Sequence, residues 1–218
     1  MVSRQEEYQY AEDLNNALTK AIVSKCKGKK VLLSLTGGMD SRALLSIFFK
    51  NGIEFDAFVV YLKDENQQYW AKKDVKTAIK LSRYYGFTLK IHYIGWHPWQ
   101  ESLRLVKNDY DIVVSGDGFT ECLCRYDSYR KGYAQRNGDE AQHFLYSKEY
   151  GYYAPIWEKE VQKIVRKIPM YRRIFSIPQR EIVRLNHPKL LTYGYTSFNL
   201  RRHIYSKIYR FLVWSKRI

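Results

Sequence analysis

The chain has 218 residues, 45% of them hydrophobic, which is enough to fill the core of one α/β domain with a small helical extension and excludes a disordered chain. Lys and Arg number 37 against 22 Asp and Glu, a net charge of +15, yet from Lys159 to Ile218 there are 15 cations and two acids, so the first part is nearly balanced. No window reaches the roughly 18 consecutive apolar residues of a membrane span, the start "MVSRQEEYQYAEDL" is too polar and acidic for a signal peptide, and the three cysteines Cys26, Cys122 and Cys124 do not suit a disulfide framework. The expectation is a cytoplasmic protein in a reducing compartment, with no membrane partner.

Ala11, Leu14, Leu18, Ala21, Ile22 and Cys26 recur at helical spacing and predict an amphipathic helix over Glu6 to Lys25. Lys30 to Leu35 reads as a short strand buried on both faces, and Asp40 and Ser41 open a helix that closes at Asn51 and Gly52. The pattern repeats with a strand at Phe55 to Leu62, a helix at Gln68 to Tyr85 stopped by Gly86, and a strand at Phe87 to Ile94. A helix around Trp99 to Lys107 leads to "DIVVSGDG", a fourth strand ending in glycines.

Alternating strands and helices imply a parallel sheet with right-handed crossovers, in which ligands bind beyond the carboxyl ends of the strands. Residues 1–124 are therefore expected to form an α/β core, 125–153 a long polar connection rich in tyrosine, and 154–218 a basic helical region packed on the core, with helices around Val161 to Ile168, Gln179 to Leu185 and Asn199 to Leu212.

Both glycine-rich turns, Thr36 to Ser41 and Ser115 to Glu121, fall at such strand ends and should face one site. Glycines behind a buried strand let a ligand approach the main chain closely, and the helix that follows offers N–H groups to an anion. Thr36 and Ser41 add hydroxyls, and Asp40 is a hard oxygen ligand suited to Mg²⁺ on a polyphosphate. The spacing matches neither G-x-x-x-x-G-K-[ST] nor G-x-G-x-x-G. An ordinary capped turn is the bland alternative for each loop taken alone, as burial of small thiols is for Cys122 and Cys124.

The segment "LTGGMDSR" resembles the S-G-G-x-D-S pyrophosphate loop of the PP-loop ATP pyrophosphatases, with Thr36 in place of the first serine. "VVSGDGFTECLCRY" is similar to the S-G-E-G-x-D-E-L-F-G-G-Y segment of the synthetase domains of asparagine synthetase and β-lactam synthetase, with Ser115, Gly116, Gly118, Glu121 and Tyr126 in register. Asp117 replaces that family's glutamate, Thr120 an aspartate that helps hold Mg²⁺, and Cys124 and Arg125 two glycines. "YYAPIWEKEVQKIVRKIP" and "NHPKLLTYGYTS" extend the likeness to about Ser197.

The resemblance implies a Rossmann-like HUP fold of the adenine nucleotide alpha hydrolase type, with helices on both faces of the sheet. It implies ATP contacts at Leu35, Thr36, Gly37, Gly38, Asp40, Ser41, Ser115, Gly116 and Gly118, Mg²⁺ at Asp40 and Glu121, a base at Asp117 and a catalytic lysine for which Lys189 is the nearest candidate. The implied reaction is adenylation of a small carboxylate with release of pyrophosphate, followed by transfer to ammonia or an amine. Val2 stands where a glutaminase domain carries its nucleophilic cysteine, so nitrogen is expected free or from a separate glutaminase, with a homo-oligomer as another partner. Two alternatives stand beside this one. A nucleic-acid (tRNA) modifying enzyme would use the cations and interleaved aromatics of the tail, such as Tyr205, Tyr209 and Trp214. A degenerate, non-catalytic nucleotide-binding protein would fit Thr120 and the missing lysine.

Overall fold

The computed structural model describes residues 4–62, 68–94, 98–106, 108–123, 143, 145–168 and 176–193. Five strands, β1 (Val31–Ser34), β2 (Asp56–Leu62), β3 (Leu89–Ile94), β4 (Ile112–Val114) and β5 (Tyr152–Tyr153), form one sheet in the order β3-β2-β1-β4-β5 with every pairing parallel. Leu33 pairs with Ala57 on one side and Val114 on the other, so β1 is central and its apolar run needs cover on both faces.

Alternation along the strands supplies two cores. Val31, Leu33, Ala57, Val59, Ile112 and Val114 point to one face, and Leu32, Phe58, Val113 and Tyr152 to the other. The first face is covered by α1 (Arg4–Cys26), α2 (Met39–Lys50) and α3 (Gln68–Tyr85), through residues such as Leu18, Leu45 and Leu81. The second is covered by α4 (Pro98–Val106) and a helical stretch at 145–150, through Leu103, Val106, Tyr146 and Tyr150. This is the α/β architecture expected, a parallel sheet with helices on both faces.

After α5 (Phe119–Leu123) and β5, the chain adds α6 (Lys159–Lys167) and α7 (Ile177–Asn186), whose Val161, Val165, Ile182 and Val183 join the first core. α7 lies along α2 in the same direction: Gln179 meets Asp40 near both helix starts, and Lys50 Nζ donates to Leu185 O near both ends.

The structure differs from the sequence-based expectation in the segment 125–153. Its last residues form the helical stretch at 145–150 and the edge strand β5, where a polar connection was expected. A strand of two residues carries no alternation to detect; Tyr152 and Tyr153 are recruited by pairing with Val113 and Val114. Residues 124–142, with Cys124, and the expected helix at Asn199 to Leu212 lie outside the described residues. Among the described residues no helix is long and apolar enough to cross a membrane. Cys26 and Cys122 are buried thiols, and burial pushes the Cys26 thiol up to about 11, which keeps it protonated.

His92 of β3 lies buried with its ring stacked on Phe58 at 5.1 Å, and its Nδ1 finds no hydrogen-bond partner among the described residues. Burial, with a smaller contribution from the Lys90 charge, lowers its pKa below the ordinary 6.5. The unfolded chain then binds the extra proton first, so stability is full above 6.5 and is lost as pH falls through the lowered folded-state value, by at most about 1.4 kcal/mol per pH unit. Urea midpoints taken from pH 7.5 to pH 5.5 should fall in the native chain and fall less in His92→Phe; equal slopes would remove His92 from the account.

Candidate functional site

The chain runs from β1 outward to β3 and then returns past β1 to β4 and β5, so strand order reverses between β1 and β4. In open α/β sheets the crevice beyond the carboxyl ends of such a pair of strands is where ligands bind. Both glycine turns leave from that pair. A Cβ placed on Gly116 would meet Asp40 Cβ at 3.0 Å and Ser41 N at 3.2 Å, so the second turn lies directly on the start of α2, closer than a side chain at that position ordinarily comes. The two turns expected to face one site are thus in contact.

Within the first turn the hydroxyls close onto the backbone. Thr36 N donates to Ser41 Oγ at 3.1 Å, Gly38 N donates to Thr36 Oγ1 at 3.1 Å, and Ser41 Oγ donates to Thr36 O at 3.0 Å. Gly37 is held from both sides: its N–H donates to Asp74 Oδ1 at 2.6 Å, and its carbonyl accepts from Arg42 Nη2 at 3.0 Å. Arg42 is fully buried and its Nη1 also donates to Leu190 O at 3.2 Å and Tyr193 O at 2.6 Å, which ties the turn to the 3₁₀ segment Pro188–Leu191 and the residues after it. Leu35 is a core residue whose N–H donates to Phe58 O, so only its backbone borders the crevice.

Asp40, in the first turn of α2, accepts from the buried Gln179 of α7, with Nε2 to Oδ1 at 2.8 Å. Mg²⁺ typically takes one or two protein carboxylates and completes its shell with phosphate oxygens and water. Asp40 could supply one such carboxylate from the first turn of α2. Among the described residues no group of three or more His, Cys, Asp or Glu gathers to hold a metal ion. The backbones of Thr120 and Glu121 belong to α5, while their side chains lie outside the described residues.

In the second turn Asp117 N donates to Ser115 Oγ at 3.2 Å, and Asp117 Oδ2 accepts from the phenol of Tyr152 at 3.0 Å. Burial, and then the Asp117 charge, pushes the Tyr152 phenol well above its ordinary range, so it keeps its proton and donates. Gly118 takes φ +79, and a Cβ there would stand 2.6 Å from Trp157 Cζ2. Gly118→Ala should therefore cost roughly 2–4 kcal/mol, the sum of a left-handed conformation and an overpacked contact. Denaturant unfolding checks this, and an unchanged midpoint would show that the indole simply moves aside.

Lys189 is not brought to the turns. Its ammonium meets the hydroxyl and ring face of Tyr84 near the C-terminal end of α3, about 15 Å along that helix from Asp74. Four residues that sequence reasoning did not assign are hydrogen-bonded to the two turns: Arg42, Asp74, Gln179 and Tyr152.

No protein-family model matches the chain, and no curated protein matches it. Among solved structures it is similar to the U34-tRNA thiolase NcsA from Methanococcus maripaludis, a protein with a 4Fe–4S cluster, at 16% identity and a TM-score of 0.43 over 92% of this chain and 80% of that one. It is also similar to NMN synthetase from Francisella tularensis, at 17% identity and a TM-score of 0.31 over 68% of this chain and 52% of that one.

Proposed function

We propose that the chain is an ATP-dependent, AMP-forming ligase of the asparagine-synthetase type, which adenylates a carboxylate, releases pyrophosphate and transfers the acyl group to ammonia or an amine. The observation that carries this reading is the contact of Gly116 with Asp40 and Ser41, because it joins a phosphate turn and an acidic turn in one crevice. In this mechanism the N–H groups that open α2, with the Thr36 and Ser41 hydroxyls, receive the departing pyrophosphate. Asp40 would hold Mg²⁺, which when bound would neutralise charge on the phosphates. The substrate carboxylate attacks the α-phosphorus and the bond to the β-phosphate breaks; nitrogen then attacks the acyl carbon and AMP leaves. Asp117, oriented by Tyr152, holds the incoming nitrogen and takes its proton. Catalysis would rest on positioning and charge stabilisation, and it draws no step from Lys189.

A second reading, a PP-loop enzyme that adenylates a base in RNA, is favoured by the 15 cations and two acids from Lys159 to Ile218. One assay separates the readings: pyrophosphate release from MgATP, with a panel of carboxylates plus ammonia in one arm and bulk tRNA in the other. Release that needs carboxylate and ammonia supports the ligase, and release that needs tRNA moves the assignment to the second reading. Silence in both arms, from protein that binds ATP, would make the chain a non-catalytic nucleotide binder.

A further inference from the structure

The Gly37 amide is closed by an anion. Asp74 Oδ1 sits 2.6 Å from its nitrogen, the distance of a strong charge-assisted hydrogen bond. The other two backbone donors bonded within the turn, Thr36 N and Gly38 N, are met by the neutral hydroxyls of Ser41 and Thr36, each at 3.1 Å. Gly37 N–H is therefore the turn donor matched to a charged oxygen, and that oxygen comes from another element, α3.

We propose that Asp74 sets the phosphate affinity of the turn: its carboxylate stands on the Gly37 amide in the place of a phosphate oxygen, and a bound polyphosphate takes that amide by displacing it. This rests on the reading of Thr36 to Ser41 as a phosphate turn and adds to it a competitor carried by the chain itself.

Three features carry the inference. A carboxylate oxygen and a phosphate oxygen are acceptors of the same class, and one N–H serves one of them well. The Gly37 peptide does not depend on Asp74 for its orientation, because the buried Arg42 guanidinium holds its carbonyl at 3.0 Å. The donor therefore stays aimed at the same point when Asp74 turns away, and rotation of a half-buried aspartate between staggered rotamers needs no backbone movement. The competitor also sorts ligands. A small anion that gains only the Gly37 amide exchanges one anionic oxygen for another, with the tethered one at high local concentration. A polyphosphate that reaches the opening N–H groups of α2 as well gains contacts the carboxylate does not block.

The test uses the full chain, inorganic pyrophosphate as the probe, and two variants. Asp74→Asn removes the charge and keeps an acceptor for Gly37, whereas Asp74→Ala removes both. Calorimetry should show pyrophosphate binding at least about tenfold tighter in Asp74→Ala than in the native chain, the worth of one charge-assisted bond no longer competed for, and tighter by a smaller factor in Asp74→Asn, whose neutral acceptor competes weakly. In ¹H–¹⁵N spectra the Gly37 amide proton should move upfield in Asp74→Ala and return downfield when pyrophosphate is added.

Native chain that binds pyrophosphate, with folded variants that bind it equally or more weakly, overturns the competitor role and leaves the phosphate turn standing; Asp74 is then a fixed brace. Absence of binding in the native chain and both variants overturns the phosphate turn and this proposal together. Binding that appears only in the variants supports both.

Discussion

On the proposed ligase reading, replacing Asp40 with asparagine will abolish pyrophosphate release, by at least about a hundredfold, while leaving the fold close to native stability. Asparagine keeps the carbonyl oxygen that accepts from Gln179 Nε2 and keeps the Cβ against which Gly116 packs, so only the charge is lost. Asp40→Ala will lose activity to the same extent and in addition about 1–2 kcal/mol of stability, because the buried Gln179 amide is deprived of this acceptor. Comparing the two variants by activity and by urea unfolding separates the electrostatic role from the structural one. Pyrophosphate release that persists in Asp40→Asn would remove the carboxylate from the metal site.

The largest stability effect is expected at Arg42. Its guanidinium is fully buried, and its two terminal nitrogens bridge the Gly37 carbonyl in the first turn and the Leu190 and Tyr193 carbonyls at the far end of the described chain. Arg42→Leu leaves three inward carbonyls without that donor and should cost on the order of 3–5 kcal/mol. Arg42→Lys should recover less than half, because a single ammonium cannot span both segments as the planar fork does. Equilibrium unfolding of the three proteins measures the difference. If Arg42→Leu unfolds at the native midpoint, the bridge does not hold the turn.

Much of the architecture could be read from the chain because it rests on local patterns. The apolar runs around β1 and β4 and the amphipathic stripe of Gln68 to Tyr85 each carry their own period, and α3 has the bounds that its sequence predicts. The two turns were legible for the same reason, since glycine, hydroxyl and carboxylate sit together in sequence. The residues that brace them were not. Gln179 lies 139 positions from Asp40 and Asp74 lies 37 from Gly37, separations that no local pattern reports.

Two signals were nonetheless present. Arg42 stands in the stretch Met39 to Phe48, where every other residue but Asp40 is apolar or small, so a cation there had to be buried and bonded. Asp74 is the only acid of α3, which carries several cations. β5 gave no signal, because its two residues become a strand only by lying beside β4.

The parallel course of α2 and α7 has an electrostatic outcome. Helices that run side by side in one direction point their peptide dipoles the same way, so the positive ends of both lie together, near Asp40 and Gln179. Their fields add there, whereas antiparallel neighbours would cancel. The backbone of both helices therefore raises the potential met by an approaching anion, offsetting part of the negative charge of Asp40.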